Sequence, residues 1–235
     1  MANAGPVRSV KKVSAEVQAA DVLRESIVSG RLPPGMKLTE IKLSEQLEVS
    51  RATVRTALHQ MAQEGLIVQV PYTGWTVMTL TSRDAWELYT LRSSLEALAA
   101  RLVVERASRS TAESSMVKER LTKSLKALSA ACVGGRKAEI AEADFALHKA
   151  IIALSGHRRL AEQYLKVEQQ IRIYIASSDS LVPHPEQIVA QHQPLVDAIV
   201  RGDARMAAEL SVTHNTEQGE ILVGYLREQE ARESA

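Results

Sequence analysis

The chain has 235 residues, 45% of them hydrophobic and 24% charged, which is ordinary globular material for one large or two small domains and excludes a disordered chain. Aromatic residues make up only 3%, with 11 Gly and 7 Pro, and this balance favours helix over an all-β fold. The formal net charge is +1, which by itself argues for no particular partner. Its distribution says more: residues 1–83 hold 10 Lys and Arg against 7 Asp and Glu, a net of +3, and residues 84–235 hold 19 against 21, a net of −2. A weakly basic N-terminal third on a mildly acidic body is compatible with nucleic-acid binding by that third.

No apolar run approaches the ~18 residues of a membrane span. The segment MANAGPVRSVKKVSAEV lacks the apolar core of a secretory signal. A single Cys132 excludes an internal disulfide framework. The expectation is a cytoplasmic protein with no membrane association.

In chain order, residues 1–13 read as a flexible basic arm with Arg8, Lys11 and Lys12. From Ser14 to Ser29, Val17, Ala20, Leu23 and Ile27 recur at helical spacing, and Gly30 ends the helix. RLPPG is an extended connector. Thr39 caps a short helix over 40–47, and Ser50 caps another over 51–64 that Gly65 stops. The period then changes: 66–70 and 75–78 are β-rich runs around Pro71-Tyr72-Thr73-Gly74, a two-stranded hairpin. From Ser82 onward the signal is helical only. The first stretch reaches about Ala107 with Leu88, Leu91, Leu95, Leu98, Ala99 and Leu102 on one stripe. Five more follow, at 111–131, 136–155, 158–178, 184–201 and 203–229, punctuated by Gly and Pro. The fold expected is mainly α: a helix-turn-helix with a wing over 14–79, then an antiparallel all-helical bundle of six, possible also as seven, helices over 84–230.

Two helices joined by Glu48-Val49-Ser50 form the arrangement that presents a second helix to the major groove. Arg51 and Arg55, four residues apart with Thr53 between them, share the start of that helix. Two guanidinium forks there can grip phosphates or guanine edges. The hairpin tip would lie along the minor groove. In the bundle, Asp144 and His148 stand at i,i+4 on one helix, with His192 and His214 on later ones. A carboxylate and three imidazoles suit a divalent transition ion, although spacing alone leaves capping or surface roles open. Arg92 and Glu96, also at i,i+4, read on their own as a surface ion pair.

The stretch LRESIVSGRLPPGMKLTEIKLSEQLEVSRATVRTALHQMAQEGLI resembles the winged helix-turn-helix of GntR transcription regulators. Its landmarks are Ile27, Gly30, Pro34-Gly35, Leu43-Ser44, Val49-Ser50-Arg51, Val54-Arg55, Ala57-Leu58 and Glu64-Gly65-Leu66. Leu91-Arg92 and Leu95-Glu96 resemble the first helix of the FCD-type ligand-binding domain of the FadR subfamily, and six bundle helices suggest its VanR-like branch. The resemblance implies a homodimer that binds a palindromic operator in double-stranded DNA through Arg51, Thr53, Arg55 and the wing glycine Gly74. It implies a metal, Zn, Ni, Mn or Fe, on Asp144, His148, His192 and His214. It gives Arg92 the role of holding a small carboxylate effector. Two positions depart from the family pattern: Thr53 replaces a common proline, and Trp75 is the wing aromatic. His157, Arg172 and Tyr174 are further pocket candidates, whereas His59 reads as a surface or DNA-backbone residue.

The function expected is therefore a ligand-responsive transcription regulator, a repressor released by its effector, and not an enzyme. The alternative is a metal-dependent hydrolase or other metalloenzyme using the Asp/His/His/His set. No HExxH-type motif or separate general base supports it. A structural nucleoid-type DNA binder fits poorly with near-neutral charge.

Overall fold

The computed structural model describes residues 14–70 and 73–234. The basic arm with Arg8, Lys11 and Lys12, and Pro71 and Tyr72 of the hairpin tip, lie outside the described residues. The chain divides into two compact units that meet between Met78 and Thr79.

The first unit contains α1 (Ala15–Val28), β1 (Lys37–Leu38), α2 (Glu40–Leu47), α3 (Arg51–Gln63), β2 (Ile67–Val70) and β3 (Gly74–Val77). Each helix starts where a hydroxyl satisfies a free backbone donor: Ser14 accepts from Val17 N, Thr39 from Lys42 N and Ser50 from Thr53 N. Gly30 and Gly65 follow α1 and α3 with φ of 76° and 71°, a conformation that favours glycine. The turn between α2 and α3 instead places Glu48 in the left-handed region, at φ 53°. Leu23, Ile27, Leu43, Val54, Leu58, Met61 and Leu66 form the core. Arg24 on α1 grips Glu64, just past α3, through two 2.7 Å hydrogen bonds.

The expected hairpin is part of a larger sheet. Besides β2 against β3, β1 pairs antiparallel with β3 through Lys37↔Thr76 and Leu38↔Trp75, giving the order β1-β3-β2. Two residues are too short for an alternation signal, and this strand exists only because β3 offers its second edge. Gly74 fits that edge: it has φ 104°, and a Cβ there would stand 3.3 Å from the Leu38 carbonyl oxygen.

The second unit is a bundle of six helices: α4 (Ser82–Ala107), α5 (Thr111–Gly134), α6 (Lys137–Leu154), α7 (Arg158–Asp179), α8 (Glu186–Arg201) and α9 (Ala204–Glu233). Thr81 and Asp84 form a capping box at the start of α4. Ser82 donates its backbone N–H and its hydroxyl to the two Glu230 carboxylate oxygens, at 2.7 and 2.8 Å, so the start of α4 lies beside the end of α9. These two helices make the most extensive pairing in the bundle.

The buried face of α4 differs from the expected leucine stripe. Leu91 is exposed, while Ala85, Leu88, Tyr89, Arg92, Ser93, Glu96 and Ala99 are buried. The core-facing row is rotated because it includes a charged pair, which the apolar periodicity could not register.

Gly219 explains the close approach of α4 and α9. A Cβ at this position would meet the Tyr89 ring at 2.3 Å, whereas one at Gly224 on the same helix would meet nothing within 4 Å. In urea denaturation, Gly219→Ala is expected to lose about 1–3 kcal/mol through overpacking. Gly224→Ala should be neutral or gain up to ~1 kcal/mol of helix propensity. Equal effects from the two changes would contradict this packing.

Candidate functional sites

The start of α3 presents Arg51 and Arg55, whose side chains are 60% and 55% exposed. Both face Glu40, in the first turn of α2. Arg55 donates through Nε and Nη2 to its two oxygens at 2.9 and 2.7 Å, and Arg51 Nη2 lies 4.0 Å away. These hydrogen bonds hold the Glu40 carboxyl below its usual range, with a smaller opposing push from burial. One carboxylate thus orients both guanidinium groups, and the Nη1 edge of Arg55 is not engaged by it. Thr53 is tied to the cap, its Oγ1 2.9 Å from Ser50 Oγ. His59 is exposed and stands edge-on to the buried Trp75 ring, centroids 4.9 Å apart.

At the centre of the bundle the expected ligand residues converge. Asp144 and His148 project from α6, His192 from α8 and His214 from α9, all buried. One ring nitrogen from each histidine lies within 4.8 Å of the others. His148 Nε2 and His192 Nε2 are 2.9 Å apart, and Asp144 Oδ1 lies 3.1 and 3.4 Å from them. The surrounding groups decide where the ring protons sit. His192 Nδ1 is 2.7 Å from the Ile188 carbonyl, which can only accept, so its proton is on Nδ1. His148 Nδ1 lies 2.9 Å from Glu96 Oε2. The two Nε2 atoms face each other beside Asp144, an arrangement in which they can share a proton or ligate a metal ion.

The electrostatics agree. Burial would raise the Asp144 carboxyl, but His192 and His148 hold it well below its usual range. Burial lowers His192, and the Asp144 charge more than reverses this. Burial, with the His192 and His148 charges, pushes His214 well below its ordinary value, so its imidazole is neutral and able to ligate. Its Nδ1 has no hydrogen-bond partner. The donor set fits a divalent transition ion.

Arg92 is 2% exposed and does pair with Glu96, Nε to Oε1 at 2.7 Å, but inside the bundle and not on the surface. Glu96 also accepts from the Tyr164 hydroxyl at 2.9 Å and from Asn215 Nδ2 at 3.0 Å. Arg92 Nη2 has no partner, and its guanidinium lies 5.8 Å from the Tyr174 ring centre. Of the other candidates, Tyr174 is fully buried beside Arg92. Arg172 instead stacks on Phe145 and pairs with Glu142, and His157 caps α7 by accepting from Leu160 N at 3.1 Å.

Sequence reasoning missed Glu40, the buried roles of Glu96 and Asn215, and Asp179. The spacing of Glu96 from Arg92 was visible, and Asn215 adjoins His214; nothing local marks Asp179. Burial raises the Asp179 carboxyl to about 8, the Asp144 charge adds to this, and Arg92 opposes it. In the unfolded chain the group titrates near its ordinary value of about 4. The folded state therefore binds an extra proton between these values, and stability falls as pH rises from about 4 to about 8. Asp179→Asn removes this loss. In chelator-treated protein it should stabilise more at about pH 8.5 than at about pH 5. An equal difference at both would contradict the buried placement.

Comparison with known proteins places both units. The family model for bacterial regulatory proteins of the gntR family matches residues 15–77, and the FCD domain model matches residues 87–217. The "Probable D-xylose utilization operon transcriptional repressor" of Paenarthrobacter nicotinovorans is 27% identical over 198 residues, 84% of each chain. The HTH-type transcriptional regulator LutR of Bacillus subtilis (strain 168) is 24% identical over 226 residues, 86% of this chain and 98% of its own. Among solved structures, a GntR regulator from Rhodococcus sp. RHA1 aligns with a TM-score of 0.77 at 23% identity, over 90% of this chain and 99% of its own. E. coli McbR/YncC aligns with 0.72 at 22%, over 91% and 99%. The protein is thus a DNA-binding transcription regulator, and it belongs to the GntR family, in the subfamily with an FCD C-terminal domain.

Proposed function

We propose that the protein is a homodimeric repressor whose operator affinity is lowered by a small carboxylate effector bound beside a metal in the helical unit. The observation that supports this most is the buried Asp144/His148/His192/His214 cluster with Arg92 Nη2 unpaired beside it. Polar groups are buried without partners at a cost of about 1–3 kcal/mol each, and such groups gather where a ligand supplies the partners. Arg51, Thr53, Arg55 and Gly74 form the DNA contact, with Glu40 orienting the arginines. Repression is the role of several relatives, among them gluconate operon transcriptional repressors 34% and 36% identical over 91 residues, 39% of this chain. The six-helix bundle supports the VanR-like branch. The effector shifts DNA binding only as far as it prefers one arrangement of the dimer over the other. The segment near residues 79–84, which joins the two units, is where that preference is transmitted. The ion, Zn, Ni, Mn or Fe, would be held by Asp144, His148, His192 and His214, and would supply a Lewis-acidic position for the effector's carboxylate.

Two experiments test this reading. On DNA selected by the wild-type protein from a random-sequence pool, Arg51→Ala and Arg55→Ala should each lose at least ~10-fold in specific affinity, with the dimer intact in sedimentation. Unchanged binding by both would refute the DNA assignment. Elemental analysis should find about one metal per protomer in wild type and none in His192→Ala. Because the ion displaces protons, its affinity should fall as the pH is lowered. No metal after incubation with Zn, Ni and Mn would make these histidines structural.

A further inference from the structure

Most of the leucine row on α4 stays out of the core. Leu91 is 43% exposed, and Leu95, Leu98 and Leu102 are half-buried. On the other flank of the same outward face, Trp86 is 49% exposed. Between the two flanks Arg83, Glu87, Ser94, Arg101 and Glu105 recur at helical spacing, all of them exposed. The hydroxyls at the middle of this face are already committed. Ser94 donates to the Thr90 carbonyl at 3.1 Å and Thr90 to the Trp86 carbonyl at 2.8 Å, so covering them strands no hydroxyl donor.

The order of the charges says what covers this face. Counting outward from Ser94, an acid stands seven residues back at Glu87 and a base seven residues on at Arg101. A base stands eleven residues back at Arg83 and an acid eleven residues on at Glu105. The face is therefore complementary to its own reverse. Laid antiparallel on a second copy, with a two-fold axis at Ser94, Glu87 meets the second copy's Arg101 and Arg83 meets its Glu105. Leu91 then falls beside the second copy's Leu98. Laid parallel, each charge would meet its like. Within one chain Arg83–Glu87 and Arg101–Glu105 already lie 2.8 and 3.6 Å apart, so the antiparallel arrangement joins formed pairs into a four-charge cluster at each end. This reversal symmetry selects a second copy of the chain over an unlike partner.

We propose that α4 is the seam of the homodimer, crossing α4 of a second copy antiparallel at Ser94, with the leucines and Trp86 covered and the charge clusters at the two ends. This rests on the homodimer of the proposed function and gives it a face and a direction. Arg92 points inward from the same helix. An effector held by Arg92 and the second protomer thus bear on opposite faces of one helix.

Three measurements test the seam in protein carrying Cys132→Ser. Under mild oxidation Ser94→Cys should give a disulfide-linked dimer, because a residue on the axis meets its own copy. Glu105→Cys should not, since its two copies would stand ~33 Å apart. In sedimentation, Leu91→Asp should weaken the dimer at least ~10-fold, with helical circular dichroism unchanged. Glu87→Arg should weaken it at least ~5-fold, and adding Arg101→Glu should restore it. Residues 87 and 101 are ~21 Å apart along one helix, so only a contact between chains can couple them. A dimer that forms no cross-link at Ser94, or a charge reversal that is not rescued, would overturn the seam and leave the homodimer standing. Wild-type protein that sediments as a monomer would end both.

Discussion

The Arg92–Glu96 pair at the centre of the helical unit is the constraint to which its neighbours conform. Both side chains are 2% exposed, and ionised groups that far from water must be matched by partners or neutralised. Glu96 is matched from several helices: Arg92 Nε from α4, the Tyr164 hydroxyl from α7 and Asn215 Nδ2 from α9, with His148 of α6 close by. The carboxyl is therefore held well below its usual range although burial opposes this. Such a pair adds little net stability, since desolvation offsets much of the attraction. Its effect is positional. It fixes which face of α4 turns inward, places Glu96 beside His148 Nδ1, and holds one edge of a guanidinium free within the core.

From that centre the polarity is graded. Asp144 is kept ionised by imidazoles, His214 is kept neutral by burial and by its neighbours, and Asp179 is pushed towards its protonated form. Groups of the same chemical type are thus driven to different charge states within one cluster. Strongly perturbed groups of this kind gather at functional sites.

The DNA-binding unit uses a carboxylate in a different regime. Glu40 meets Arg51 and Arg55 near the surface, where solvent screening leaves an ion pair little net effect on stability. Its effect there is orientation: long side chains already held lose less freedom when they meet a ligand, which fits the DNA contact proposed for them. Trp75, packed beneath His59, and Gly74, which lets β1 approach β3, support the base of the wing in the same unit.

What the sequence by itself determined is local. The caps at Thr39 and Ser50, the stops at Gly30 and Gly65, the change of period after Gly65 and the six helical stretches from Ser82 all follow from near-neighbour backbone bonding and side-chain spacing, and all appear in the structure. The candidates Arg51, Arg55, Asp144, His148, His192 and His214 were visible as residue types on identifiable helices, and family resemblance grouped the last four. Only the tertiary structure decided the rest. β1 is a strand because β3 comes to lie beside it, which no pattern within two residues encodes. The inward face of α4 passes through Arg92 and Glu96 because partners from α6, α7 and α9 neutralise them, so hydrophobic periodicity placed Leu91 inside when it is outside. Glu40, Asn215 and Asp179 acquire their roles from charges on other elements. Hydrogen bonds and charge interactions act over a few ångströms of space and are indifferent to sequence separation, so a site assembled from four helices becomes readable only when the helices have packed.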